Sequence, residues 1–186
     1  GDNVIIANGH TVVVNQHVTC NNLTVGQGVS GTLQIGNNNT IRVLEVHGNL
    51  TVNQGASLVI NPATNTTHRM LLHGNLTNNG TLDLNLDANS KCDLHLIGTG
   101  MLPFRGSGSV NDYNRIIMNM GTSMANTMEM TCTNFSAING FLSLRNGTLK
   151  VSIPSTLTLV PWANGGTDTV YSKGKLWMNS PTITAS

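Results

Sequence analysis

The chain has 186 residues, with nine Lys and Arg against eight Asp and Glu for a net charge of +1; 9% of residues are charged, 4% aromatic and 39% hydrophobic. So little charge argues against a coiled coil, a charged disordered tail or a phosphate-binding surface that works by counterion release. No apolar run reaches the roughly 18 residues of a membrane helix, so neither nucleic acid nor membrane insertion is expected.

Read from the start, Gly1 leads directly into Asp2-Asn3-Val4-Ile5-Ile6, with no signal peptide in view; the expectation is that one was removed or that the sequence begins inside a longer protein. The tripeptide Asn-Leu-Thr then occurs three times, at Asn22-Leu23-Thr24, Asn49-Leu50-Thr51 and Asn75-Leu76-Thr77, its leucines 27 and 26 residues apart. The last two copies extend to His-Gly-Asn-Leu-Thr, from His47 and from His73. A second landmark keeps nearly the same period, its leucines 25 and 24 residues apart: Leu33, Leu58 and Leu82 follow a Gly-Thr, an Ala-Ser and a Gly-Thr pair in turn. Two landmarks sharing one period mark a repeat.

Between the landmarks the pattern has period two. Leu44, Val46, Leu50 and Val52 alternate with Glu45, His47 and Thr51, and Leu94 and Leu96 alternate with Asp93 and His95. Alternation of this kind predicts half-buried strands, here ending in Asn-Gly, Asn-Asn or Gly-Gln-Gly turns. The best helical candidate, Met118 to Met130, carries Asn, Gly, Thr and Ser and reads as two short strands. From residue 98 to 114 the repeat loosens around Pro103, Arg105, Gly106 and Gly108, and a loop excursion is expected there, with Gly100 in the place of Leu76. Irregular rungs are expected over residues 115–153. The tail, 154–186, reads as a further rung or a cap, and its alternation at Thr182-Ile183-Thr184 suggests that the polypeptide continues.

A unit of about 25 residues with three strands of about 16 Å cannot close a core alone. Stacked at about 4.8 Å, such units pair every strand with its equivalent and bury continuous apolar columns. The expected fold is therefore all-β: a single parallel β-helix over residues 1–186, regular over 1–97, with six to seven rungs. Leu23, Leu50 and Leu76 form one core stack and Leu33, Leu58 and Leu82 another. Asn22, Asn49 and Asn75 form an asparagine ladder, and Thr24, Thr51 and Thr77 an outward threonine row. The scarcity of charge then has a cause, because like charges stacked at strand spacing repel.

The opening Asp2-Asn3-Val4-Ile5-Ile6-Ala7-Asn8-Gly9-His10-Thr11-Val12, the run from Cys20 to Val25, the paired His-Gly-Asn-Leu-Thr copies and the Asn79-Gly80-Thr81-Leu82 turn resemble the β-helix repeats of bacterial secreted and cell-surface proteins, among them type IX secretion cargo and adhesins. That resemblance implies a right-handed helix and an extracellular or surface location. It supplies no catalytic residues.

Polysaccharide-cleaving β-helices need clustered carboxylates. The densest group here is Asp83, Asp87 and Asp93 near Lys91, a weak candidate calcium site; otherwise no cofactor is expected. His47 and His73 fall at equivalent places in neighbouring rungs, about 5 Å apart, and could grip a transition metal, although the third rung offers only Ile97. Trp162, Tyr171 and Trp177 could form a sugar-stacking platform, a core cap being the plainer reading. Cys20, Cys92 and Cys132 lack zinc-motif spacing and read as buried apolar residues, with one disulfide open between Cys92 and Cys132. Asn22, Asn38, Asn49, Asn65, Asn75, Asn79, Asn134 and Asn146 begin glycosylation sequons, which in an Asn- and Thr-rich chain also arise by repetition. The expected role is a non-enzymatic structural or adhesive rod, whose partners are further domains of its own chain, neighbouring subunits or surface glycans. The alternatives are a carbohydrate-binding or polysaccharide-cleaving β-helix and a self-assembling extracellular filament subunit.

Overall fold

The structure, a computed structural model, describes residues 1–153, 156–159, 168–179 and 182–185. The period-two runs form strands, all the pairings between strands are parallel, and no helix occurs among the described residues. The strands stack as a β-solenoid of about six turns with about 26 residues per turn. Each turn contributes one strand to each of three faces. In the second turn these are Leu23–Val25, Thr32–Ile35 and Val43–Val46. Their equivalents in the third turn are Leu50–Val52, Ser57–Ile60 and Thr67–Leu72.

Register places the repeats as their spacing requires. Leu23 pairs with Leu50 and Leu50 with Leu76; Thr24, Thr51 and Thr77 run beside them; Leu33, Leu58 and Leu82 stack on the second face. All six leucines are buried. The asparagine row is a chain of side-chain-to-backbone bonds. Asn22 Oδ1 accepts from the Asn49 N–H at 2.7 Å, and Asn49 Oδ1 accepts from the Asn75 N–H at 3.0 Å. The preceding glycines, Gly48 and Gly74, make this possible: a Cβ at Gly74 would collide with the Gly48 carbonyl, and one at Gly48 with the Asn22 side chain.

The stretch from residue 98 to 114 corrects the expected loop. It holds two strands, Met101–Arg105 on the first face and Val110–Tyr113 on the second, and the residue over Leu76 is Phe104 rather than Gly100. Pairing toward the preceding turn starts only at Phe104, so the missing N–H of Pro103 breaks no bond on that side. From here the core changes character. Phe104, Tyr113, Phe135 and Phe141 form a run of ring contacts with centroids 5.4–5.6 Å apart. Asn78 and Asn111 also lie fully buried: Asn78 donates to Asn111 Oδ1 at 2.9 Å and to the Val110 carbonyl at 2.7 Å, and Asn111 donates to the Thr133 carbonyl at 2.6 Å.

Two ten-residue strands, Leu142–Val151 and Thr169–Met178, then run unbroken from the third face into the first. They pass the corner at Gly147, whose φ of 95° suits a residue without a Cβ, and at Gly174 stacked on it. Part of the tail is therefore a further turn. Leu157–Leu159 and Ile183–Ala185 pair with each other in a separate two-stranded sheet. Tyr171 and Trp177 do not cap the core: they are 50% and 46% exposed. Trp162 lies outside the described residues. The disulfide left open between Cys92 and Cys132 is not formed. Cys92 faces the core from the third face and Cys132 follows a first-face strand further along, and all three cysteines are free and buried. Burial raises each thiol above its ordinary pKa, Cys132 to about 12.

Leu50 has no exposed surface and sits mid-column, so Leu50→Ala is expected to lower stability by about 2–5 kcal/mol in urea unfolding. Asn49→Ala, which removes one solvent-facing acceptor, should cost about 0.5–1.5 kcal/mol. Equal costs would contradict the division of labour between column and ladder.

Candidate functional site

The repeated His-Gly-Asn-Leu-Thr segment builds a corner and, outside it, a cluster of potential ligands. Val46 and Leu72 point inward and are paired in register, so the residues that follow them, His47 and His73, point outward side by side. Their rings lie 4.7 Å apart between centroids and are tilted by 33°. Glu45 lies two residues before His47 and shares its outward side. Its Oε1 is 2.9 Å from His73 Nε2 and 3.9 Å from His47 Nε2. The ligand atoms of the three residues all lie within 4.8 Å of one another, the one such set of three among the described residues. The third potential ligand is not the next member of the histidine column, where Ile97 stands, but Glu45, which the repeat spacing does not point to. The signal was the i−2 position, which period-two geometry places on the same side of the same strand.

The expected aspartate group does not converge. Asp83 belongs to a second-face strand and Asp93 to a third-face strand. Asp83 accepts the Asn85 N–H at 3.0 Å, Asp87 the N–H groups of Asn89 and Ser90 at 2.7 and 2.8 Å, and Asp93 the Asn114 amide at 2.6 Å. Those two backbone bonds hold the Asp87 carboxyl below its ordinary pKa. Each aspartate thus organises its own neighbourhood.

Of the expected aromatic platform only Tyr171 and Trp177 fall among the described residues. Tyr171 and Trp177 stand on opposite sides of the Gly174 corner of one strand. The Trp177 ring already meets two ammonium groups, Lys150 Nζ at 4.8 Å and Lys175 Nζ at 5.2 Å from its centroid. Among the sequon asparagines, the Asn22 amide donates to Asn3, the Asn134 amide to the Gly108 carbonyl and the Asn146 amide to Asn119. Asn49 and Asn75 sit in the ladder, whereas Asn38, Asn65 and Asn79 are exposed.

One histidine has the opposite environment. His68 faces inward, fully buried and paired in register with Cys92. Its Nδ1 accepts the Arg42 N–H at 3.0 Å, so in the neutral ring the proton resides on Nε2, which has no hydrogen-bond partner. Burial, with a smaller contribution from Arg42, lowers its pKa. Comparison with known proteins adds no relative: no family model matches the chain, and no curated protein or solved structure is significantly similar to it.

Because the folded-state pKa of His68 is lowered, the unfolded chain binds the extra proton first. Stability is then complete above the ordinary imidazole range and is lost as pH falls from there toward the lower folded pKa. One proton sets a slope of at most about 1.4 kcal/mol per pH unit. Replacing His68 by Leu should flatten the slope measured between about pH 7 and pH 5 by urea unfolding at each pH; an unchanged slope would assign the acid sensitivity elsewhere.

Proposed function

We propose that this chain is a rigid, non-enzymatic β-solenoid segment serving as a structural or adhesive spacer of a secreted or surface-displayed protein. The observation that carries the reading is the unbroken register of the first face, in which Leu23, Leu50, Leu76, Phe104, Met130, Val151 and Met178 follow one another, each paired with the next. Each step is tied by backbone pairing, and the inward side chains of the described residues pack continuously from one turn to the next. At about 4.8 Å per turn, six turns span about 30 Å. Several charged residues take part in the stacking between turns. Asp93 lies in register between Arg69 and Arg115, and Lys150 Nζ is 2.8 Å from Glu129. The resemblance of the repeat motifs to type IX cargo and adhesins supports the extracellular assignment.

On this reading the partners are other domains of the same chain, neighbouring subunits or surface glycans. At the first turn the core opens into an apolar mouth of about 280 Å³ lined by Val4, Ile6, Val12, Val14, Leu23 and Leu33. Ile5 and Val12 stand exposed beside it.

Hydrogen exchange tests the rod. Amides from Leu23–Val25 through Leu142–Val151 are expected to show deep protection of similar magnitude and to open together. A fast-exchanging boundary between any two of these turns would place a hinge in the rod and overturn the proposal, as would turnover of any acidic or neutral polysaccharide incubated with the chain.

A further inference from the structure

We infer that Glu45, His47 and His73 form a binding site for a divalent transition-metal ion of the zinc, nickel or copper class on the outer surface of the solenoid. The inference goes beyond the rod reading and stands on separate observations. The donor set comes first: two imidazole nitrogens and one carboxylate oxygen suit borderline transition metals, whereas calcium and magnesium require mostly oxygen ligands. Distance comes second. Bonds of about 2.0–2.1 Å in tetrahedral geometry leave ligand atoms about 3.3 Å apart. Glu45 Oε1 lies 2.9 Å from His73 Nε2 and 3.9 Å from His47 Nε2, on either side of that separation. Small side-chain rotations suffice to seat an ion, without movement of the backbone.

The backbone beneath the cluster is held. The His47 N–H donates to the Cys20 carbonyl and the His73 N–H to the Val46 carbonyl, both at 3.0 Å. The next residues, Gly48 and Gly74, lie in contact with the turn before, and the asparagine ladder follows directly. The backbone positions of the two histidines are thus fixed at strand spacing before any ion arrives, which removes part of the ordering entropy that binding otherwise costs. Access is open, since the side chains of Glu45, His47 and His73 are 28%, 49% and 32% exposed. Three protein donors and an open outer side leave the remaining coordination position to water.

Among the described residues no other three potential ligands converge. The three thiols are buried, His68 is enclosed in the core, and His17 Nδ1 accepts the Val43 N–H at 3.0 Å. Titration of the intact chain with Zn²⁺ or Ni²⁺ by isothermal calorimetry is expected to show one ion per chain. His47→Ala, His73→Ala and Glu45→Gln should each weaken binding at least tenfold, while His17→Ala leaves it unchanged and Ca²⁺ gives no saturable heat. On the unaltered chain, Zn²⁺ should shift the imidazole NMR resonances of His47 and His73 and leave those of His10, His17, His68 and His95 in place, a readout that does not depend on how any variant folds. Absence of saturable binding, retention of affinity in both histidine variants, or shifts at other histidines would overturn the site.

Discussion

Parallel stacking at strand spacing is the constraint on which everything else in this molecule rests: each residue lies about one strand spacing, ~4.8 Å, from its equivalent in the turns before and after. A side chain is therefore acceptable only if a near-copy of itself, or a complementary group, can stand beside it. Leucine satisfies this inward and threonine outward. Asparagine satisfies it at a corner, because its carbonyl oxygen caps the backbone N–H of the next asparagine. The few charges comply by alternating in sign, as at Arg69, Asp93 and Arg115.

The same constraint made the first half of the chain legible. Identical residues recurring at nearly constant spacing had to stack, so the leucine columns, the threonine row and the asparagine ladder could be placed from their spacing alone. The second half resisted because its equivalents are not identical. Phe104 succeeds Leu76 at a longer interval, behind a proline that the strand tolerates only because pairing to the preceding turn begins after it. Val151 follows Met130 at a shorter one. Large rings were expected at the end of the core, but the interior rings are Phe104, Tyr113 and Phe141, while Tyr171 and Trp177 look outward. At the cluster, the two histidines were visible because they share a column. Glu45 was not, because it meets them along its own strand and across a diagonal.

The ligand cluster and the structural corner are products of one pentapeptide. Glycine lets the turns approach, asparagine ties them, leucine anchors them inside, and histidine is left projecting at a fixed separation. A repeat that evolved to stack can in this way deliver a pair of identical donors without any further design, and a single acidic residue two positions before the first of them completes a set of three.

The buried pair Asn78 and Asn111, joined by the Tyr113 hydroxyl at 3.3 Å from Asn111 Oδ1, has a consequence of another kind. Columns of interchangeable leucines would tolerate a misthreaded chain in which one coil skips a neighbour, since hydrocarbon meets hydrocarbon either way. Two amides in the hydrocarbon do not: displaced from each other, each would be stranded without its partner, a penalty of about 1–3 kcal/mol apiece. They act as an index mark on an otherwise periodic spool, telling the winding chain which coil it has reached.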